Sequence, residues 1–173
     1  TVRGCANEGI YVNANDARTV GNTVESNGAH GIHVYSGARN RVGSNRIDGK
    51  GKQGNGVYIE YAAGTVVTNN QMYRSTNYGV KVYGASGTTT NVVVNNRIYS
   101  NGKGGTAMTN ENVCCSYIAP VRNRFIRNRI YRNGPAGIVI WGGSNGVYLN
   151  NDIYGHTSRG ILVSGAGDTR SNE

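Results

Sequence analysis

The chain has 173 residues, 37% of them hydrophobic, which suits one domain with a thin core. Its 18 Lys and Arg against 9 Asp and Glu leave a net charge of +9, which favours polyanionic partners. No apolar run is long enough to span a membrane, no signal peptide is visible, and no nucleic-acid module is recognisable.

Taken in chain order, the expected elements repeat. The first is Gly9-Ile10-Tyr11-Val12, followed by Asn22-Thr23-Val24-Glu25. A second unit holds Gly31-Ile32-His33-Val34, Val42 and Asn45-Arg46-Ile47-Asp48. A third holds Gly56-Val57-Tyr58-Ile59, Val66-Val67 and Asn70-Gln71-Met72-Tyr73. The fourth holds Gly79-Val80-Lys81-Val82, Val92-Val93-Val94 and Asn96-Arg97-Ile98-Tyr99. A degraded copy, Gly105-Thr106-Ala107-Met108, precedes Phe125-Ile126 and Asn128-Arg129-Ile130-Tyr131. Then come Gly137-Ile138-Val139-Ile140, Val147-Tyr148-Leu149, Asn151-Asp152-Ile153-Tyr154 and Gly160-Ile161-Leu162-Val163. The glycines are spaced by 22, 25, 23, 26, 32 and 23 residues.

A period in this range means a solenoid, whose repeats bury their apolar faces only by stacking on one another. Each run alternates with period two and is bounded by Gly, Asn and Ser, which reads as strand and turn; none has helical spacing. The expected fold is therefore all-β: a parallel β-helix of about seven coils, each of three short strands, in one domain over residues 1–173. Asn45, Asn70, Asn96, Asn128 and Asn151 are expected in a tight bend, bonded from coil to coil. Tyr73, Tyr99, Tyr131 and Tyr154 form an expected stacked ladder. The chain starts and stops mid-coil with uncapped ends, as expected of a segment of a longer β-helix or of a unit that stacks end to end on itself.

These repeats resemble the right-handed parallel β-helix of the pectate lyase-like superfamily. The stretch Tyr78-Gly79-Val80-Lys81-Val82-Tyr83-Gly84-Ala85, with Asn95-Asn96-Arg97-Ile98-Tyr99, is most similar to repeats of mannuronan C5-epimerases and alginate lyases. The resemblance implies a right-handed winding, a secreted or cell-surface location, and a substrate groove along the first strand of each coil. The epimerases' Tyr-Gly-Phe-Asp-Pro-His motif has no counterpart, so no catalytic residue is carried over.

Alternation places two columns on the outer face of that first strand. One reads Tyr11, His33, Tyr58, Lys81, Ala107, Val139, Leu162; the other reads Asn13, Tyr35, Glu60, Tyr83, Thr109, Trp141, Ser164. Flat aromatic rings suit sugar rings, and Lys, His and Tyr exchange protons. The expected function is binding or cleavage of an anionic polysaccharide by lyase-type β-elimination. Lys81 is the expected base, Tyr58 or His33 the proton donor, and Glu60 the group that orients Lys81 or a cation. Tyr11, Tyr35, Tyr83 and Trp141 contact sugars, and Glu111 and Tyr117 join them from an insertion at 110–120. A lone groove carboxylate argues against a hydrolase and makes a poor calcium site, so Ca2+ is the one cofactor to consider and no metal ligands are assigned. Cys5, Cys114 and Cys115 form neither a disulfide framework nor a zinc motif. The competing reading is a non-enzymatic β-helix, such as a fibre, surface-layer or tail-spike subunit.

Overall fold

The computed structural model describes residues 1–84, 88–113, 116–118, 120–142 and 145–164, with backbone alone for 110–113 and 116–118. Cys114, Cys115 and the side chains of Glu111 and Tyr117 lie outside the described residues; Cys5 is a free, exposed thiol.

Among the described residues every regular element is a strand. The glycine phrases stack as the first sheet: Ile10–Asn13, His30–Ala38, Asn55–Ile59, Tyr78–Gly84, Gly104–Val113, Ala136–Trp141 and Arg159–Ser164. The second sheet stacks Arg18–Val20, Arg41–Gly43, Val66–Thr68, Val92–Val94, Arg124–Ile126 and Val147–Leu149. The third stacks Val2–Arg3, Thr23–Glu25, Arg46–Asp48, Gln71–Tyr73, Arg97–Tyr99, Arg129–Tyr131 and Asp152–Tyr154. Visiting the three sheets in turn winds six complete coils, flanked by the Val2–Arg3 and Arg159–Ser164 strands. The 110–120 insertion extends the Gly104–Val113 strand and returns as Ser116–Ile118, antiparallel to it.

The core is a set of columns. The first sheet sends in two residues per coil, such as Ile32 and Val34, Val57 and Ile59, and Val80 and Val82, all fully buried. The other two sheets send in one each: Val42, Val67, Val93 and Phe125 from the second, Val24, Ile47, Met72, Ile98 and Ile130 from the third. Three-residue strands have only one inward position, so the second and third sheets hold less of the core than a uniform two per strand.

Three asparagine ladders run along the bends. In the expected one, Asn45, Asn70, Asn96, Asn128 and Asn151 each accept from the backbone N–H and the amide of the residue one coil below, at 2.8–3.1 Å. Similar columns stand at the other bends, through Asn40, Asn91 and Asn123, and through Asn27, Asn101 and Asn133. The left-handed backbone of each bend belongs to the residue before the ladder asparagine: Ser44, Asn69, Asn95, Arg127 and Asn150 have φ of 52–56°. The turn is made first, and the asparagine then points inward to bond along the axis. The tyrosine ladder is also present, with ring centroids 4.9, 5.0 and 5.2 Å apart and planes within 10° from Tyr73 to Tyr154.

The glycine that opens each phrase sits where a side chain has no room. A Cβ on Gly31 would lie 2.6 Å from Gly56 O, 2.6 Å from Ile47 Cγ2 and 2.7 Å from Gln53 Nε2. Gly31→Ala is expected to destabilise the fold by about 3 kcal/mol, read from the urea midpoint. An unchanged urea midpoint would show that the glycine is not sterically required.

Candidate functional site

The same glycines reset the strand alternation. Each Gly and the Ile or Val after it both face inward, so the residue before the Gly turns outward. The outer face of the first sheet thereby gains a third column, through Glu8, His30 and Tyr78, that simple alternation conceals. The expected first column is in register: Tyr11 opposes His33, His33 opposes Tyr58, Tyr58 opposes Lys81, and Lys81 opposes Ala107. The second is displaced at its start, where a bulge after Val12 sets Asn13 against Ser36 rather than Tyr35.

These columns converge on His33, which is 7% exposed. Its Nδ1 lies 3.4 Å from Glu8 Oε1 and its Nε2 lies 3.3 Å from Glu60 Oε2. The Nε2 contact does not have hydrogen-bond geometry. The Glu60 charge also acts on both neighbours, raising the pKa of Tyr58 and of Lys81. Glu60 thus lies against His33 while its charge reaches Lys81. Rings pack around the imidazole, with Tyr58 at 4.8 Å, Tyr11 at 5.3 Å and Tyr35 at 5.7 Å.

His30, Glu8 and Lys103 escape a reading based on alternation alone; the signal for Glu8 and His30 is their place just before the glycine of the phrase, and Lys103 lies two residues before its own. His30 packs on Tyr58 at 4.7 Å and accepts the Asn55 N–H at Nδ1, so its ring proton sits on Nε2. Burial, then the neighbouring His33, lowers its pKa from 6.5 to about 4. The unfolded chain therefore binds this proton more readily than the folded one. The stabilisation is complete above pH 6.5 and is lost as pH falls through 4. We expect a loss of about 1–2 kcal/mol over that window, discounted for the partial exposure of the ring, and a flatter pH profile in His30→Asn. An unchanged profile in that variant would show that His30 titrates normally.

Lys81 lies over the rings of Tyr58 and Tyr83, 5.6 and 4.9 Å from their centroids. Burial and the charge of Lys103 lower its pKa, and Glu60 partly opposes them. Burial, followed by Glu60, raises the Tyr58 hydroxyl far above its ordinary value. Desolvation thus favours the neutral amine and the neutral phenol on adjacent coils.

Beyond Lys81 the face turns apolar. Ala107 and Val139 point out of the helix yet are 0% and 3% exposed, roofed by Tyr78, Ala136 and Leu162. Val139 borders a hollow of about 200 Å³ that Lys103 and the half-exposed Trp141 also line. Trp141 therefore stands apart from the titratable cluster, and Lys103 links the two. Among the described residues no three His, Cys, Asp or Glu are placed to hold a metal ion, and no helix is long and apolar enough to cross a membrane.

No curated protein matches the chain. Among solved structures it is similar to the A-module of the Azotobacter vinelandii mannuronan C-5 epimerase AlgE4, with a TM-score of 0.68 and 18% identity over 93% of this chain and 53% of that one. It is similar to pectate lyase Pel9A, with a TM-score of 0.61 and 15% identity over 99% and 52%. It is also similar to the periplasmic alginate epimerase AlgG, with a TM-score of 0.58 and 16% identity over 92% and 47%. The chain spans about half the length of each of these structures, and the likeness is one of fold. A family model described as "Right handed beta helix region" matches residues 1–117. With more than half its length under that model and three parallel sheets wound throughout the described residues, the chain belongs to the right-handed β-helix family.

Proposed function

We propose that the outer face of the first sheet binds an anionic polysaccharide outside the cytoplasm and removes the proton at C5 of a uronate residue. The observation that carries this reading is the pairing of Lys81 with Tyr58, a base and an acid on adjacent coils whose neutral forms are both favoured by burial. The Lys81 amine takes the C5 proton, and the electron pair of that bond forms the C4–C5 double bond. The C4–O bond breaks, and the leaving oxygen takes the Tyr58 proton. Lys103 is the nearby cation for the substrate carboxylate, while His33, held between Glu8 and Glu60, positions the Tyr58 ring 4.8 Å away. Tyr11, Tyr35 and Tyr83 supply sugar-stacking surface beside the cluster, and Trp141 supplies it beyond Lys103. The uronate class is supported by the neighbours of similar fold, which are named as mannuronan, alginate and pectate enzymes.

The test is incubation with alginate, pectate and glycosaminoglycans. Ultraviolet absorbance would report unsaturated ends, and NMR would report exchange of the C5 hydrogen with solvent deuterium. One polymer is expected to give a signal that Lys81→Ala removes. Neither signal nor binding with any polymer would favour a structural β-helix instead.

A further inference from the structure

The positive charge of this protein does not lie in the groove. There Glu8 and Glu60 balance Lys81 and Lys103. The excess is concentrated on one coil, where Arg122, Arg124, Arg127, Arg129 and Arg132 are all exposed. Arg124 stands on the second sheet, Arg129 on the third, and the other three occupy the three bends. Neighbours two apart along a strand are about 7 Å from each other, so the five make a belt around two faces.

Arginine is a poor choice for those bends. Arg122, Arg127 and Arg132 have φ of 53, 52 and 51°, a left-handed conformation that glycine and asparagine adopt with less strain. The next coil uses Asn145, Asn150 and Gly155 at the same three places. Elsewhere a left-handed arginine is explained by a carboxylate one coil away: Arg39 pairs with Asp16, and Arg74 with Asp48. Among the described residues Arg122, Arg124, Arg127 and Arg132 have no such partner, and Arg129 has only the exposed Asp152 at 3.4 Å. Three strained, unpaired charges on one coil contribute nothing to the winding, yet they complete the belt.

We propose that this belt is a second binding surface, separate from the groove, for a flexible acidic polysaccharide. Carboxylates spaced along such a polymer would each meet an exposed guanidinium fork. Single-stranded nucleic acid fits less well, because among the described residues the aromatic rings of this coil are closed to stacking: Phe125 and Tyr131 are 1% and 8% exposed, and guanidinium groups lie over Tyr131. The choice of polymer rests on the groove reading, but the test reads binding rather than turnover, so either can fail alone.

The experiment titrates the whole chain with fluorescent polyuronate oligomers at low salt. The triple variant Arg122→Gly, Arg127→Asn, Arg132→Gly keeps residues that suit these bends, so it is expected to melt at or above the wild-type temperature. It should bind the polyuronate at least tenfold more weakly, with a shallower salt dependence. Equal affinity of the triple variant and the wild type would overturn the proposal, as would absence of wild-type binding. Tighter binding of a single-stranded DNA of matched charge would assign the belt to nucleic acid and overturn it too.

Discussion

Replacing Asn96 with alanine is expected to cost about 4 kcal/mol of stability, a large part of what holds a domain of this size together. The Asn96 side chain is 2% exposed and works in three directions. Its oxygen accepts from the Asn70 N–H and the Asn70 amide at 2.9 and 3.0 Å. Its own amide donates to the carbonyls of Val67 and Val94 and to Asn128 Oδ1, at 2.9–3.0 Å. Truncation therefore strands two buried donors and at least two acceptors at once, each costing roughly 1–3 kcal/mol, with partial relief from relaxation and water. The neighbouring residue supplies the control. Asn95 is exposed with φ of 56°, so Asn95→Gly should change stability by less than about 1 kcal/mol. Urea unfolding followed by circular dichroism reads both. A loss below about 1 kcal/mol for Asn96→Ala would show that the ladders are dispensable.

Turnover on a uronate polymer is expected to fall at least 100-fold in Lys81→Ala, within the 10²- to 10⁴-fold range of general-base catalysis. The pH profile makes the sharper test. The base must be the neutral amine, so the rate rises with pH, and the lowered pKa of Lys81 sets that limb below the ordinary lysine value of 10.5. Two neighbours then move the limb in opposite directions. Lys103→Met removes a positive charge that lowers the pKa, so the limb shifts up. Glu60→Gln removes a negative charge that raises it, so the limb shifts down. Shifts in the same direction, or none, would eliminate Lys81 as the base whatever the activity of the alanine variant.

The winding was legible because a solenoid writes its geometry into local spacing. Apolar pairs behind a glycine recur every 22 to 32 residues, and in-register stacking of like on like leaves one way to bury them. For the same reason the Tyr11–His33–Tyr58–Lys81 column could be read from alternation and counting. Alternation fails where the backbone bends. At the opening glycine two successive residues face inward because the Ile or Met of the third sheet fills the space a Cβ would need, and this turned Glu8 and His30 into the site unannounced. The bulge after Val12 likewise moved Asn13 out of line. Partner choice also belonged to the tertiary structure. Glu60 stood near both Lys81 and His33 by register, and only the packed side chains set its carboxylate 3.3 Å from the His33 ring. Charge followed the same division: the sequence by itself established an excess of +9, whereas the turning of the chain carried that excess away from the groove and onto the bends of one coil. Repetition along a sequence determines which residues stack; the directions in which their side chains leave the backbone, and hence what they touch, are decided at the corners.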